Sequence, residues 1–215
     1  MRKVDVWADV RCPWCWIGLW RLGDAVRQTN RLVSGGITVR HRSFLLEPDG
    51  PATPGRPLAE VAVRDWGMAP EQWRAKSEAI RAAGELEGLE IHPGSALTFD
   101  SRPVHRLLKA ATTMGDTPPA LLWEAAFDAH FRRNADLSRR SGLLALAREL
   151  GFSSGVAHQL LAGSDFADEV TADLELGRLS RITSVPTVLV DGRRLAGNTP
   201  TRELARALRD VEAVR

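Results

Sequence analysis

The only two cysteines of this chain stand in one tetrapeptide, Cys12-Pro13-Trp14-Cys15, directly after the alternating run Val4-Asp5-Val6-Trp7-Ala8. A strand that gives way to a helix at this point puts both sulfurs on one face of the first helical turn, within reach of disulfide geometry. Cys12 falls at the helix N-terminus, where unpaired backbone N–H groups and the positive end of the dipole favour a thiolate. It is the expected nucleophile. Cys15, one turn deeper and behind Trp14, is the expected resolving thiol. Pro13 fixes φ for the first turn and leaves no N–H unsatisfied.

A structural zinc requires four ligands, and the sequence offers no second cysteine pair and no close pair among His41, His92, His105, His130 and His158. No metal is expected. With 215 residues the chain can bury an adequate core without disulfide staples, so the cysteines are not needed for stability. The 29 basic and 27 acidic residues leave a net charge of +2, too small a field to imply nucleic acid or an anionic membrane as partner. Met1-Arg2-Lys3 runs straight into the first strand with no apolar leader, and no later segment approaches a membrane span. The reading is a soluble cytoplasmic protein, and in a reducing cytosol such a motif points to catalysis or redox sensing.

The order of elements reads β–α–β, a long helical middle, then β–β–α. Trp14 to Gln28 carries Trp16, Ile17, Trp20, Leu22, Ala25 and Val26 at helical spacing; a Ser34-Gly35-Gly36 turn follows, and Ile37 to Phe44 alternates as a strand. Glu47 to Pro57, rich in Pro and Gly, reads as a domain crossing. From Leu58 to Gly163 the pattern is helical, with Pro70 opening Glu71 to Glu87, Ser101 capping Pro103 to Met114, Thr117-Pro118 opening another helix, and Ser138 starting a Leu143-Leu146-Leu150 stripe. Asp165 to Ile182 is helical, Thr187 to Val190 is a buried strand, Asp191-Gly192 a tight hairpin turn, and Arg193 to Ala196 the return. Thr199-Pro200 opens a last helix with Leu204, Ala207, Leu208 and Val211 on one face.

Three segments in this order carry a resemblance: Asp9-Val10-Arg11-Cys12-Pro13-Trp14-Cys15-Trp16-Ile17-Gly18, then Arg42-Ser43-Phe44-Leu45-Leu46, then Ser184-Val185-Pro186-Thr187. The chain resembles the DsbA-like class of thioredoxin folds, and within it the FrnE-like disulfide oxidoreductases, over nearly its whole length. The resemblance implies an α/β thioredoxin-like fold with a large all-helical insertion. Residues 1–48 and 165–215 would form the discontinuous thioredoxin-like domain and 49–164 the insertion. Pro186 matches the cis-proline that faces the cysteine pair, which would leave the backbone of Val185 free to pair with an extended substrate. Asp9 either accepts a proton from Cys15 or orders the turn before the helix. His105 either faces the groove from the helical block or is packed there, and Trp14 and Trp16 are candidates to line an apolar groove. The other four histidines read as structural or exposed.

The activity implied is thiol–disulfide exchange on protein or small-molecule thiols and disulfides, with a redox-active Cys12–Cys15 disulfide, no bound cofactor, and glutathione as a candidate co-substrate. Monomer and homodimer both remain open. A glutathione-dependent isomerase or transferase of the 2-hydroxychromene-2-carboxylate isomerase and kappa type is the alternative, because those proteins resemble the same architecture. They usually carry Ser at the nucleophile position, and Cys12 with Cys15 argues against that reading. A redox-switched peptide-binding or chaperone-like module is the third.

Overall fold

Alternation along the first strand sets the two faces of the sheet. A computed structural model describes residues 2–31, 36–48, 50 and 55–210. Strand β1 (Arg2–Ala8) lies inside a four-stranded sheet of order β2-β1-β3-β4. It pairs in parallel with β2 (Ile37–Ser43), antiparallel with β3 (Thr187–Val190), and β3 pairs antiparallel with β4 (Arg193–Ala196). The parallel pair is joined through helix α1 (Pro13–Asn30), as a parallel connection requires. Asp191 and Gly192 both take positive φ (47° and 83°), the conformation of the two-residue hairpin turn that Asp-Gly favours.

Val4 and Val6 point to one face and pack with Val188, Val190, Leu22 and Ala25 of α1, and Leu204 and Leu208 of α9 (Thr201–Arg209). Asp5 and Trp7 point to the other, which α8 (Ala167–Leu179) covers. The Trp7 indole N–H donates to the Asp173 carbonyl at 3.1 Å. The buried Asp173 carboxylate accepts from Arg42 at 2.9 Å and from the Ser43 backbone N–H at 2.7 Å, and Lys109 pairs with it as well. Charged strand residues are thus satisfied under a helix that comes from late in the chain.

Between β2 and α8 lie α2 (Leu58–Arg64), α3 (Pro70–Glu85), α4 (Arg102–Met114), α5 (Pro119–Phe127), a π-helical turn over Asp128–Arg132, α6 (Arg140–Glu149) and α7 (Ser154–Ala162). One continuous core joins this helical part to the loop that carries the cysteines: Cys12, Cys15, Trp16 and Ile17 pack in the same cluster as Phe99, Leu107, Phe127, Phe131 and Leu146.

Some local expectations are corrected. Ser101 does not cap α4 with its side chain, because its backbone is already helical (φ −79°, ψ −8°); the Asp100 carboxylate accepts the Arg102 N–H instead, at 3.0 Å. Ser138 precedes α6 by two residues, held by Asp136 at 3.1 Å, and the helix begins at Arg140. The helix expected over 165–182 is shorter, Ala167–Leu179, since Phe166 sits at φ 63°. Ser34, Gly35 and Val211, and part of the Pro- and Gly-rich crossing, lie outside the described residues.

Pro186 is clamped by two glycines. A Cβ on Gly197 would overlap the Pro186 ring and its carbonyl oxygen, and a Cβ on Gly18 would meet the Pro186 ring at 2.7 Å and the Gly197 carbonyl oxygen at 2.8 Å. Backbone cannot yield as a side chain can. We expect Gly197→Ala to lower the free energy of unfolding by about 1–3 kcal/mol, read by urea titration; an unchanged midpoint would show that the end of β4 can move aside.

Candidate active site

The Cys12–Cys15 loop is built where β1 ends and α1 begins. Cys12 is the N-cap residue of α1, in extended conformation, and Pro13 is its first helical residue. The Cys12 N–H donates to the Asp9 carbonyl at 3.0 Å, and the Cys15 N–H donates to the Cys12 carbonyl at 2.9 Å. Both cysteines are free thiols. Cys12 keeps 7% of its surface exposed and Cys15 none, so an incoming molecule meets Cys12 first. Burial pushes the Cys15 thiol well above the ordinary range, and the adjacent Cys12 sulfur raises it further; the backbone of Asp9 pulls the other way.

The Val185–Pro186 peptide is cis. The Val185 carbonyl oxygen lies 3.8 Å from the Cys12 sulfur. The segment entering β3 therefore stands against the motif at the start of α1, although the two are separated by most of the sequence.

Asp9 is fully buried beneath the loop. One carboxylate oxygen accepts from the Arg11 N–H at 3.0 Å and lies 3.4 Å from His105 Nε2; the other accepts from the Leu46 N–H at 2.7 Å. Burial by itself would raise the Asp9 carboxyl, but His105 and the two backbone donors outweigh it and hold the group below its ordinary value of 3.8. Both oxygens are thus engaged by partners other than a thiol. The contacts present are those of the turn-ordering role.

His105, fully buried on α4, reaches Asp9 and the edge of Trp123 (ring centroids 5.3 Å apart) rather than a groove. Trp16 is likewise not in the groove. It stacks in the core against Phe127 and Phe131, at 6.1 and 6.5 Å, because a residue directly after Cys15 on the first turn faces the helical block. Trp14 does line a cleft, of about 400 Å³, together with Cys12, Trp66, Trp73, Ile80 and Leu97. Sequence reading missed His130, which is buried in the wall of that cleft. The π-helical turn after α5 carries it there, and its ring packs edge-on against Phe99 at 4.9 Å. Burial pushes its pKa down to about 3, with Arg11 adding to the effect and Asp9 opposing it, so the imidazole is neutral at physiological pH. The π turn has no simple sequence signal. Arg11, which forms an ion pair with Glu47 at 3.1 Å on the cleft wall, was visible only as part of a motif. Among the described residues no three His, Cys, Asp or Glu side chains are grouped to hold a metal ion, and no helix is long and apolar enough to cross a membrane.

The model of the DSBA-like thioredoxin domain matches residues 3–209. The chain belongs to that family. The α/β thioredoxin-like fold with a helical insertion is the family's fold, and its members act on thiols and disulfides. Among solved structures, a probable DsbA oxidoreductase from Streptomyces coelicolor is 27% identical, with a TM-score of 0.89 over 97% of this chain and 88% of that one. The cytosolic disulfide reductase DsbM from Pseudomonas aeruginosa is 22% identical (TM-score 0.61, 96% of each chain), and a 2-hydroxychromene-2-carboxylate isomerase is 14% identical (TM-score 0.62, 94% of this chain and 90% of that one). These last two are similar in fold. A search of curated proteins found no match.

The buried Asp9 carboxylate generates a pH prediction for this DsbA-like chain. A carboxyl held below its unfolded value stabilises the fold above about pH 4, and that contribution disappears as the pH falls through its folded value. Asp9→Asn is expected to cost about 3 kcal/mol at neutral pH and less near pH 3, where the contribution of a carboxyl held below its ordinary value of 3.8 has begun to fall. Urea titrations at both pH values check this; an equal loss at both would remove the ionised carboxylate from the explanation.

Proposed function

We propose that this DsbA-like chain is a thiol–disulfide oxidoreductase of the FrnE-like kind, with Cys12 attacking and Cys15 resolving. The observation that carries the reading is the inequality of the two sulfurs. Cys12, at a helix N-cap and facing the Val185 carbonyl, keeps 7% of its surface exposed, whereas Cys15 keeps none. In the reducing direction the Cys12 thiolate attacks one sulfur of a substrate disulfide, a Cys12–substrate S–S bond forms, and the first substrate thiolate leaves and is protonated. Cys15 then gives up its proton and attacks the Cys12 sulfur. The second substrate thiol departs, and the pair has supplied two electrons to become the Cys12–Cys15 disulfide. The reverse sequence oxidises a dithiol.

Neither direction needs a bound cofactor, since the cysteine pair itself carries the electrons. Val185, at the entry to β3, is the backbone available to pair with an extended substrate segment. Pro186 and its two glycines position it, and Pro13 and Asp9 shape the loop. Residues 1–48 and 165–215 supply the redox half and 49–164 the helical wall of the cleft. A reducing cytosol suits this chemistry, and glutathione is a candidate co-substrate; the fold neighbour DsbM was also solved with GSH.

The wild-type protein mixed with oxidised glutathione should yield a reversible Cys12–Cys15 disulfide, and Cys15→Ser should accumulate a mixed disulfide at Cys12, both read by thiol alkylation and mass spectrometry. Cys12→Ser should do neither. A wild-type chain that never forms the internal disulfide at any glutathione ratio would end this reading. The elevated Cys15 thiol sets a further expectation: resolution of the mixed disulfide should speed up as pH rises from neutral to mildly alkaline, because only the thiolate attacks and burial persists after Cys12 is capped. Quenched-flow measurement of mixed-disulfide decay against pH checks the slope.

A further inference from the structure

The cleft beside Cys12 is largely apolar. It holds about 400 Å³, within the range of small-molecule sites. Its walls are largely aromatic and aliphatic: Trp14 on α1, Trp73 and Ile80 on α3, Leu97 before α4, and Trp66 just after α2. Trp66 and Trp73 meet edge to face with ring centroids 6.4 Å apart, and Trp66 is still 47% exposed, so one of its faces remains open. The charges around the cleft are few. Arg11 is offset by Glu47 at 3.1 Å, and buried His130 is neutral. Lys76, exposed on α3, has no carboxylate partner among the described residues.

On the basis of the oxidoreductase reading above, we propose that the preferred substrate is a small-molecule disulfide bearing an aryl group and a carboxylate. The aryl group would lie between Trp14, Trp66 and Trp73, the carboxylate would meet Lys76, and the adjoining sulfur would be presented to Cys12. In the reducing direction Cys12 bonds to the sulfur of the aryl-bearing half, the other half leaves as a thiolate, and Cys15 then attacks the Cys12 sulfur and releases the aryl-bearing thiol. One disulfide is reduced to two thiols as the cysteine pair is oxidised.

The test measures the second-order rate of mixed-disulfide formation at Cys12 in the full-length Cys15→Ser protein by intact-mass spectrometry. The probes are the symmetric disulfide of carboxyphenyl-ethanethiol and dithiodipropionate, two carboxylated alkyl disulfides whose leaving thiols are similarly acidic and which differ in the ring. The aryl probe should react about tenfold faster, as expected for burying an aromatic ring against other rings. Trp66→Ala, at a half-exposed position, should shrink that ratio by about threefold or more. Lys76→Glu should slow the carboxylated aryl probe about two- to fivefold and speed its aminomethyl counterpart, as exposed charge pairs do. Equal rates for the two probes, or a ratio that Trp66→Ala leaves intact, would overturn the substrate class and leave the oxidoreductase standing. No adduct at Cys12 with either probe or with oxidised glutathione would instead bring down the oxidoreductase reading itself.

Discussion

A carboxylate with no access to water must find its partners inside the protein, and Asp9 finds them in three different parts of the chain. The Arg11 N–H belongs to the loop before Cys12, the Leu46 N–H to the segment leaving β2, and His105 to helix α4. Each contact fixes one piece against the others. The loop that presents Cys12 is therefore held by the sheet below it and by the helical part beside it. Removing that anion would leave the Arg11 and Leu46 donors unpaired at the base of the loop.

The two sulfurs acquire different environments from the same helix. Cys12 is placed at the N-cap with the Val185 carbonyl in front of it, and Cys15 faces inward among Trp16, Ile17 and the aromatic residues of the helical part. Local spacing makes the pair, but only the second layer of packing makes them unequal. The same layer builds the cleft: α3 brings Trp73 and Ile80, and the π-helical turn after α5 brings His130. A π turn widens the helix locally, which is how a residue near the end of α5 comes to face the redox loop.

Membership of the DSBA-like family accounts for the thioredoxin-like sheet and the helical insertion. The aromatic cleft belongs to this chain's own side chains. Its walls combine residues from α1, α3 and the segments after α2 and before α4, so its shape depends on how the insertion lies against the redox half. The buried Asp173 assists in that placement, joining Arg42 and Ser43 of β2 with Lys109 of α4 from its position on α8.

The sequence by itself determined the elements whose cause is local. Alternation in Val4 to Ala8, the Asp191-Gly192 turn, and helical spacing around Trp16, Leu22 and Leu107 act over a few residues and survive in the fold. The spacing of Cys12 and Cys15 likewise places both at the start of α1 without any tertiary information. The tertiary structure decided the roles that depend on what lies opposite. Trp14 and Trp16 are two residues apart and equally apolar, yet one lines the cleft and the other stacks on Phe127 and Phe131, because a helix turns successive side chains toward different surroundings. The sequence singles out His105 and not His130 as a groove candidate, yet the packing of α4 and of the π turn sets the first against Asp9 and the second in the cleft wall. Periodicity reports which face of an element is buried, but the partner on that face comes from elsewhere in the chain.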